Sequence, residues 1–101
     1  GIFEAFGQLM SDLKTKKDAA GPLLDSSMVL FGSNLGNANS HDTRNLPVLF
    51  AGGGAGGLKH GRHTAFDAKN NTPLCNLFVT MAQRMGVYMD AFGSSTGTIT
   101  I

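Results

Sequence analysis

The chain has 101 residues, 42% of them hydrophobic and 15% charged, and its formal net charge is +1 at pH 7. A chain of this length forms one small domain with little stability to spare, and the hydrophobic share indicates a folded rather than a disordered polypeptide. Because the few basic residues are scattered, the sequence lacks the basic surface that nucleic acids require, and we expect no nucleic-acid partner.

The sequence contains no apolar run that approaches the roughly 20 residues needed to cross a bilayer, so we expect no membrane span. No basic-then-apolar signal segment opens the chain either. The single cysteine, Cys75, excludes an internal disulfide and a metal site built from several cysteines. The chain begins with Gly1 inside an amphipathic pattern and without an initiator methionine, so we expect it to be part of a longer protein.

Residues 2–19 are predicted to form a helix. Apolar residues recur there at three- and four-residue steps, which places one stripe along a helix surface. Lysines gather toward the C-terminal end, where cations complement the helix dipole, and Gly21-Pro22 is expected to end the helix. The stripe consists of Ile2, Phe3, Phe6, Leu9, Met10 and Leu13.

Two short apolar runs, residues 27–31 and 47–51, are predicted to be strands. Each run is continuous rather than alternating, and this pattern is typical of a strand that is covered on both faces. We therefore expect buried strands of a parallel or mixed sheet with helices packed on its faces. The predicted fold class is α/β, with two main helices flanking the sheet.

A second helix is predicted to begin at Thr72-Pro73, where Thr72 can cap the free amides and Pro73 suits the first helical position. Gly86 is expected to end this helix as a left-handed cap. Residues 96–101 alternate between polar and apolar side chains, as in a weak terminal strand. The apolar stripe of the helix consists of Leu74, Leu77, Phe78, Met81, Ala82 and Met85.

Five glycines fall among residues 52–57, directly after the second predicted strand. Gly52, Gly54 and Gly57 match the spacing G-x-G-x-x-G of dinucleotide-binding turns. That motif works where the turn runs straight into a helix, and residues 58–63 show neither helical periodicity nor a cap. A backbone nest that binds an anion is a second interpretation. The pattern favours a third, a connection that needs unusual backbone angles.

All three histidines, His41, His60 and His63, fall in predicted loops on either side of the second strand. Imidazole binds zinc-like metals and acts as an acid or base near neutral pH, so a site where these loops converge is one interpretation. The other is a loop-ordering hydrogen bond between His41 and Asp42, with Arg44 as a further partner of Asp42. His60 and His63 are also compatible with an ordinary surface loop.

Two stretches carry a resemblance to a known family: LDSSMVLFGSNLGN at residues 24–37 and SHDTRNLPVLFAGGG at residues 40–54. They closely resemble the C-terminal part of a bacterial family, domain of unknown function fifteen-fifty-two. The resemblance implies that residues 1–101 are a single C-terminal fragment of a larger α/β domain, from an exported or periplasmic protein. The similarity continues through KHGRH (59–63), NTPLCNL (71–77), RMG (84–86) and FGSSTG (92–97), and so covers nearly the whole chain.

That family in turn is similar to the alkaline phosphatase superfamily, which includes sulfatases and cofactor-independent phosphoglycerate mutases. Its enzymes end a strand in Ser/Ala-Asp-His-Gly, whose Asp and His bind metal. The mutases add His-Thr-x-x-x-Pro-Val-Pro, whose His binds a second metal. In this chain SNLG (residues 33–36) stands at the first motif, and HDTRNLPV (residues 41–48) resembles the second. The likeness implies a three-layer alkaline-phosphatase-like fold and carries over one candidate metal ligand, His41.

The first motif departs from the superfamily pattern. Asn34 offers a neutral amide where a carboxylate is expected, and Leu35 offers no lone pair. A centre of two divalent metals needs anionic ligands, so this departure removes at least one metal position. The superfamily's nucleophile and other ligands lie upstream, so the catalytic residues are unknown and the fragment alone is not expected to catalyse. The binding candidates are Asn34, Asp42, Arg44, His60 and His63.

Three functions remain open at this point. In the first, the parent protein has a degenerate metal centre that serves binding or unknown chemistry. In the second, it is an active metal-dependent hydrolase of phosphate or sulfate esters that uses His41, with or without His60 or His63. In the third, the chain is a structural or assembly module. No cofactor is assigned to the fragment, and a divalent metal belongs to the parent protein under the hydrolase hypothesis. Because two or three strands and two helices leave sheet edges and apolar faces uncovered, we expect the isolated fragment to be a homo-oligomer.

Overall fold

The computed structural model describes residues 1–33, 39–41, 44 and 46–101. The chain divides into two compact units, Gly1–Leu58 and Lys59–Ile101. The described residues form two main helices and two small antiparallel sheets of two strands each, so the chain is mixed α/β, as predicted at this coarse level. No helix in these ranges is long and apolar enough to cross a bilayer.

The first helix, α1, spans Ile2–Thr15 and stops short of its predicted end. Lys16 has φ −80° and ψ 136°, which is extended backbone. Beyond Leu13 no apolar residue continues the stripe, and the Asp18 carboxylate instead accepts a hydrogen bond from the Ala20 amide at 2.8 Å. Asp side chains that bond to nearby backbone in this way favour turns over helices.

A short hairpin follows α1. Its strands have two residues each, and β1 (Lys17–Asp18) pairs antiparallel with β2 (Gly21–Pro22). The residues expected only to end the helix therefore form a strand. Gly21 has φ 122°, a conformation that glycine adopts without steric cost. The Leu23 amide then donates to the Lys16 carbonyl at 2.9 Å and closes the hairpin. A short 3₁₀ helix, Leu23–Ser26, leads on to the main strands.

The larger sheet consists of β3 (Met28–Gly32) and β4 (Val48–Gly52), each displaced by one residue from the predicted run. The strands are antiparallel, with Met28 opposite Gly52 and Gly32 opposite Val48. Their residues are half-buried or exposed, so the expectation of buried strands in a parallel or mixed sheet does not hold for the described residues. An apolar run shows that a strand can be covered, but it does not fix the direction of its neighbour.

The ring of Phe31 in β3 lies against α1. Its centroid is 4.8 Å from that of Phe6 and 5.5 Å from that of Phe3. None of the residues of α1 is buried, and Ile2 and Phe3 are 70% and 69% exposed. The predicted apolar stripe is therefore present on α1, but much of it is uncovered.

The second main helix, α2, spans Cys75–Arg84 and ends as predicted at a left-handed glycine. Gly86 has φ 84°. Its amide donates to the Gln83 carbonyl at 3.0 Å, and the Val87 amide donates to the Ala82 carbonyl at 2.9 Å. These two bonds form a Schellman motif, which satisfies carbonyls that the last turn of a helix leaves unpaired.

The start of α2 differs from the prediction, because Thr72 does not cap it. The residue before the helix is Leu74, and no side chain bonds to the free amides there. A tight turn takes this role: the Asn76 amide donates to the Pro73 carbonyl at 3.0 Å, and the Leu77 amide to the Leu74 carbonyl at 2.9 Å. Three-residue bonds of this kind are common at helix ends.

The buried face of α2 is rotated away from the predicted apolar stripe. Leu77 from that stripe is buried, but Met85 is 65% exposed. Residues 96–101, the C-terminal segment, alternate between exposed and half-buried, as the predicted strand would, yet they lie in no strand of the described chain. Their backbone is bonded instead to side chains of α2. The buried residues of the helix are Asn76, Leu77, Val79 and Thr80.

Candidate functional site

The loop of residues 33–47 connects β3 to β4 and carries His41. Its two ends lie side by side, because Gly32 is paired with Val48. A Cβ atom added to Gly32 would lie 3.1 Å from the Pro47 carbonyl oxygen, so the chain segments approach closely where the loop leaves the sheet. The sheet thus anchors both ends of the segment that resembles the superfamily's metal-binding motifs.

His41 has an unusual backbone within this loop. The residue is exposed, lies in a turn and has φ 53°. It is the one non-glycine residue with positive φ in the part of the chain that the structure describes. Left-handed backbone costs an L-residue about 1–2 kcal/mol, although histidine adopts it more readily than most residues. Conformations of this cost concentrate at functional sites, which supports His41 as a candidate.

Of the other candidates in the loop, the structure describes Arg44 alone. Asn34 and Asp42 lie outside the described residues, and Arg44 is exposed. The proposed hydrogen bond between His41 and Asp42, and the pairing of Asp42 with Arg44, therefore stay predictions.

The glycine turn, residues 52–58, lies at the opposite end of the β3–β4 pair. Gly52 is opposite Met28, whereas the His41 loop begins where Gly32 is opposite Val48. The strand ends are about 14 Å apart, at roughly 3.4 Å per residue of an antiparallel strand. The glycine turn and the His41 loop are thus anchored at different ends of the sheet.

The backbone of the glycine turn explains its composition. Gly52, Gly53 and Gly57 have φ values of 88°, 73° and 84°. A Cβ atom on Gly52 would overlap the Ser27 carbonyl oxygen, and one on Gly53 would overlap the side chain of Leu58. The interpretation as a connection that needs unusual backbone angles is confirmed. A 3₁₀ turn, Gly54–Gly56, follows in place of the helix that a dinucleotide-binding motif needs.

His60 and His63 belong to the Lys59–Ile101 unit, whereas His41 belongs to the other. Both are exposed, in a stretch that forms neither helix nor strand. Between them, Arg62 Nη2 donates to the Thr100 carbonyl at 3.0 Å and ties this stretch to the C-terminal segment. This bond has a structural role.

The described part of the chain holds no assembled metal centre. No three His, Cys, Asp or Glu side chains in residues 1–33, 39–41, 44 and 46–101 lie close enough to hold an ion together. A protein zinc site takes three or four such ligands, and a two-metal phosphoryl-transfer centre takes more. His41 offers one nitrogen, and the neighbouring SNLG motif offers an amide and an aliphatic chain.

Asn76 and Thr80 are buried polar residues whose contacts the sequence patterns missed. Both are buried polar residues of α2, 3% and 7% exposed, and both bind the C-terminal segment through its backbone. Their spacing of four places them on one face of the helix. Two polar residues at that spacing, next to an apolar stripe and before an alternating tail, are the signal that could have identified them.

Comparisons with known proteins identify no relative: no family model, curated protein or solved structure matches the chain. The resemblance to domain of unknown function fifteen-fifty-two, and through it to the alkaline phosphatase superfamily, therefore rests on the quoted motifs. The function that it implies is a proposal.

Proposed function

We propose that this chain is the C-terminal part of an exported bacterial protein with a three-layer, alkaline-phosphatase-like α/β fold and a degenerate metal centre. On this proposal the chain does not catalyse by itself, and the parent protein uses the remaining cleft for binding. The observation that carries the proposal is the tetrapeptide SNLG at residues 33–36. Asn34 and Leu35 stand where the superfamily has a carboxylate and an imidazole, and neither can replace those ligands for a divalent cation.

The placement of this tetrapeptide supports the comparison with the superfamily. β3 ends at Gly32, so the motif begins directly at a strand end, as the metal-binding motif of the superfamily does. His41 follows in the same loop and is exposed. A single neutral imidazole binds divalent metals weakly unless further ligands converge on the same ion.

One observation favours the alternative that the parent protein is an active phosphate or sulfate ester hydrolase. His41 has left-handed backbone, and residues held in such backbone concentrate at functional sites. Under this alternative, upstream residues of the parent protein supply the missing carboxylates and the nucleophile. Metal content separates the two functions, because only the hydrolase requires a bound cation.

The first experiment measures zinc, manganese and calcium in the parent protein, purified without chelator, by inductively coupled plasma mass spectrometry. We expect substoichiometric metal and no hydrolysis of p-nitrophenyl phosphate or sulfate. His41→Asn is the matched variant, since asparagine tolerates left-handed backbone but is a much poorer ligand. Stoichiometric metal that is lost in His41→Asn would establish the hydrolase and overturn the proposal.

A gain-of-ligand variant tests the placement of the degenerate site directly. Asn34→Asp combined with Leu35→His restores the two superfamily ligands beside His41. In the parent protein we expect this variant to take up zinc in calorimetric titrations where the wild type takes up none, and to lose that uptake when His41→Asn is added. If the double variant binds no zinc while its folding is unchanged, the loop does not occupy the position of the superfamily's centre.

A further inference from the structure

The Asn76 side chain makes three hydrogen bonds to the start of the C-terminal segment. Its Oδ1 accepts the Thr96 amide at 2.8 Å and the Gly97 amide at 3.3 Å. Its Nδ2 donates to Thr96 Oγ1 at 3.2 Å. Asn76 is 3% exposed, so these bonds replace the water that the amide group gave up on burial.

One helical turn later, Thr80 bonds to both backbone groups of a single residue. The Ile99 amide donates to Thr80 Oγ1 at 2.9 Å, and that hydroxyl lies 3.0 Å from the Ile99 carbonyl oxygen. The hydroxyl has one hydrogen, which it shares between this carbonyl and that of Asn76, 3.1 Å away. Ile99 thus exchanges two bonds with one partner, as residues of adjacent antiparallel strands do.

The spacing of the two side chains suits the repeat of a strand. Four residues of helix rise about 6 Å, and two residues of strand advance about 6.6 Å. Asn76 and Thr80 are four apart. Asn76 accepts the amides of Thr96 and Gly97, and Thr80 accepts the amide of Ile99, two residues after Gly97. No buried side-chain nitrogen or oxygen within the described ranges lacks a partner, so the segment completes the bonding of this helix face.

We propose that the Asn76–Thr80 face of α2 is a binding site for an extended polypeptide backbone, and that this chain's own C-terminal segment is its occupant. Such a site recognises amide and carbonyl groups more than side chains. The outward residues Thr98 and Thr100 are exposed and make no side-chain bonds that the structure records, so their identity matters little to binding. This inference is independent of the proposed function, because it uses neither the His41 loop nor a metal.

The first test measures amide hydrogen exchange by NMR in the full chain. We expect protection at Thr96, Gly97 and Ile99, with Thr98 exchanging at least about tenfold faster than Ile99. Thr80→Val keeps the shape of the side chain and should accelerate Ile99 exchange by a larger factor than it accelerates exchange of the α2 amides. Thr98→Val is the matched control and should change none of the three protected amides. Equal protection along the whole segment would overturn the proposal, since the Thr98 amide would then be protected as well as the three amides that bond to α2.

The second test asks whether the site binds the segment when it is not covalently attached. The chain is shortened to residues 1–95, its helicity is verified by circular dichroism, and a fluorophore-labelled synthetic peptide of residues 94–101 is titrated by anisotropy. We expect saturable binding that weakens about tenfold when the Ile99 amide is N-methylated, and by less than about twofold when Thr98 is replaced by valine.

Two outcomes of the titration would contradict the proposal. A folded shortened chain that binds no peptide would show that the segment is held only by its covalent connection. Equal binding of the N-methylated and unmodified peptides would show that side chains, not the backbone, provide recognition. If the shortened chain does not fold, the exchange pattern of the full chain decides, because it reports on the same bonds in the intact protein.

Discussion

The ring of Phe6 stacks on the ring of Phe31, with centroids 4.8 Å apart and planes inclined by 30°. Phe3 contacts the same ring at 5.5 Å. One strand residue therefore receives two aromatic side chains from successive turns of α1, and each pair adds about 0.5–1.5 kcal/mol beyond the area it buries. Phe31 therefore links this helix to the larger sheet.

Replacing Phe31 with alanine should therefore destabilise the chain. We expect a loss of about 2 kcal/mol in the free energy of unfolding, less than for a fully buried phenylalanine because Phe31 is half-buried. Urea unfolding followed by circular dichroism measures the loss. Phe66→Ala, which removes an exposed ring from the other unit, is the control and should change stability little. An equal loss in the two variants would show that the aromatic cluster has no special role.

The glycine turn makes a strong prediction about two glycines that look alike in the sequence. Gly52→Ala should destabilise the chain by about 2–4 kcal/mol, because its Cβ would overlap the Ser27 carbonyl and alanine resists φ near 88°. Gly56→Ala should be neutral or slightly stabilising, since nothing lies within 4 Å of its added Cβ. Thermal unfolding compares the two variants. Similar melting temperatures would contradict the described turn.

The α2 side chains that hold the C-terminal segment should matter to stability as well as to binding. We expect Asn76→Ala to cost about 2–3 kcal/mol and Thr80→Val about 1–2 kcal/mol, because each leaves part-buried backbone groups of the segment without partners. Asn70→Ala, at an exposed position, is the control. Urea unfolding of all three variants gives the comparison. Wild-type stability in Asn76→Ala would mean that water replaces these bonds at no cost.

The uncovered stripe of α1 leads us to expect self-association of the isolated chain. Ile2 and Phe3 are 70% and 69% exposed, and burial of such side chains against a second copy is favourable by about 25 cal/mol per Å². We expect a concentration-dependent mass by analytical ultracentrifugation that Phe3→Asp shifts toward monomer. Ser11→Asp adds the same charge at another exposed position of α1 and should leave association unchanged. A monomer at every concentration would exclude this expectation.

Much of the secondary structure follows from local patterns in the sequence. The apolar runs locate β3 and β4 to within one residue, and Gly86 marks the end of α2 because its left-handed backbone is a local property of glycine. The end of α1 was not predicted correctly because the Asp18 side chain bonds to the Ala20 amide. Such a bond competes with helical backbone bonds, and the spacing of apolar residues does not reveal it. The antiparallel pairing of β3 and β4 was not predicted either, because the direction of a neighbouring strand is not encoded in an apolar run.

The site could be predicted less well than the fold. The sequence correctly placed His41 in a loop between two strands. It did not predict the left-handed backbone, because histidine adopts that conformation only in a minority of cases. Asn76 and Thr80 were missed because polar residues in a helix usually face solvent. Their partners lie 20 and 19 residues later in the chain, which is beyond any local pattern.

Binding by two unlike side chains also fixes how the C-terminal segment is aligned. Asn76 accepts consecutive amides, whereas Thr80 takes both groups of one residue, so the two sites are not interchangeable along the segment. A slip by one position would turn Ile99 and Ile101 to solvent and bring threonines inward. The C-terminal segment is therefore held in one register against α2, although it belongs to no sheet in the described chain.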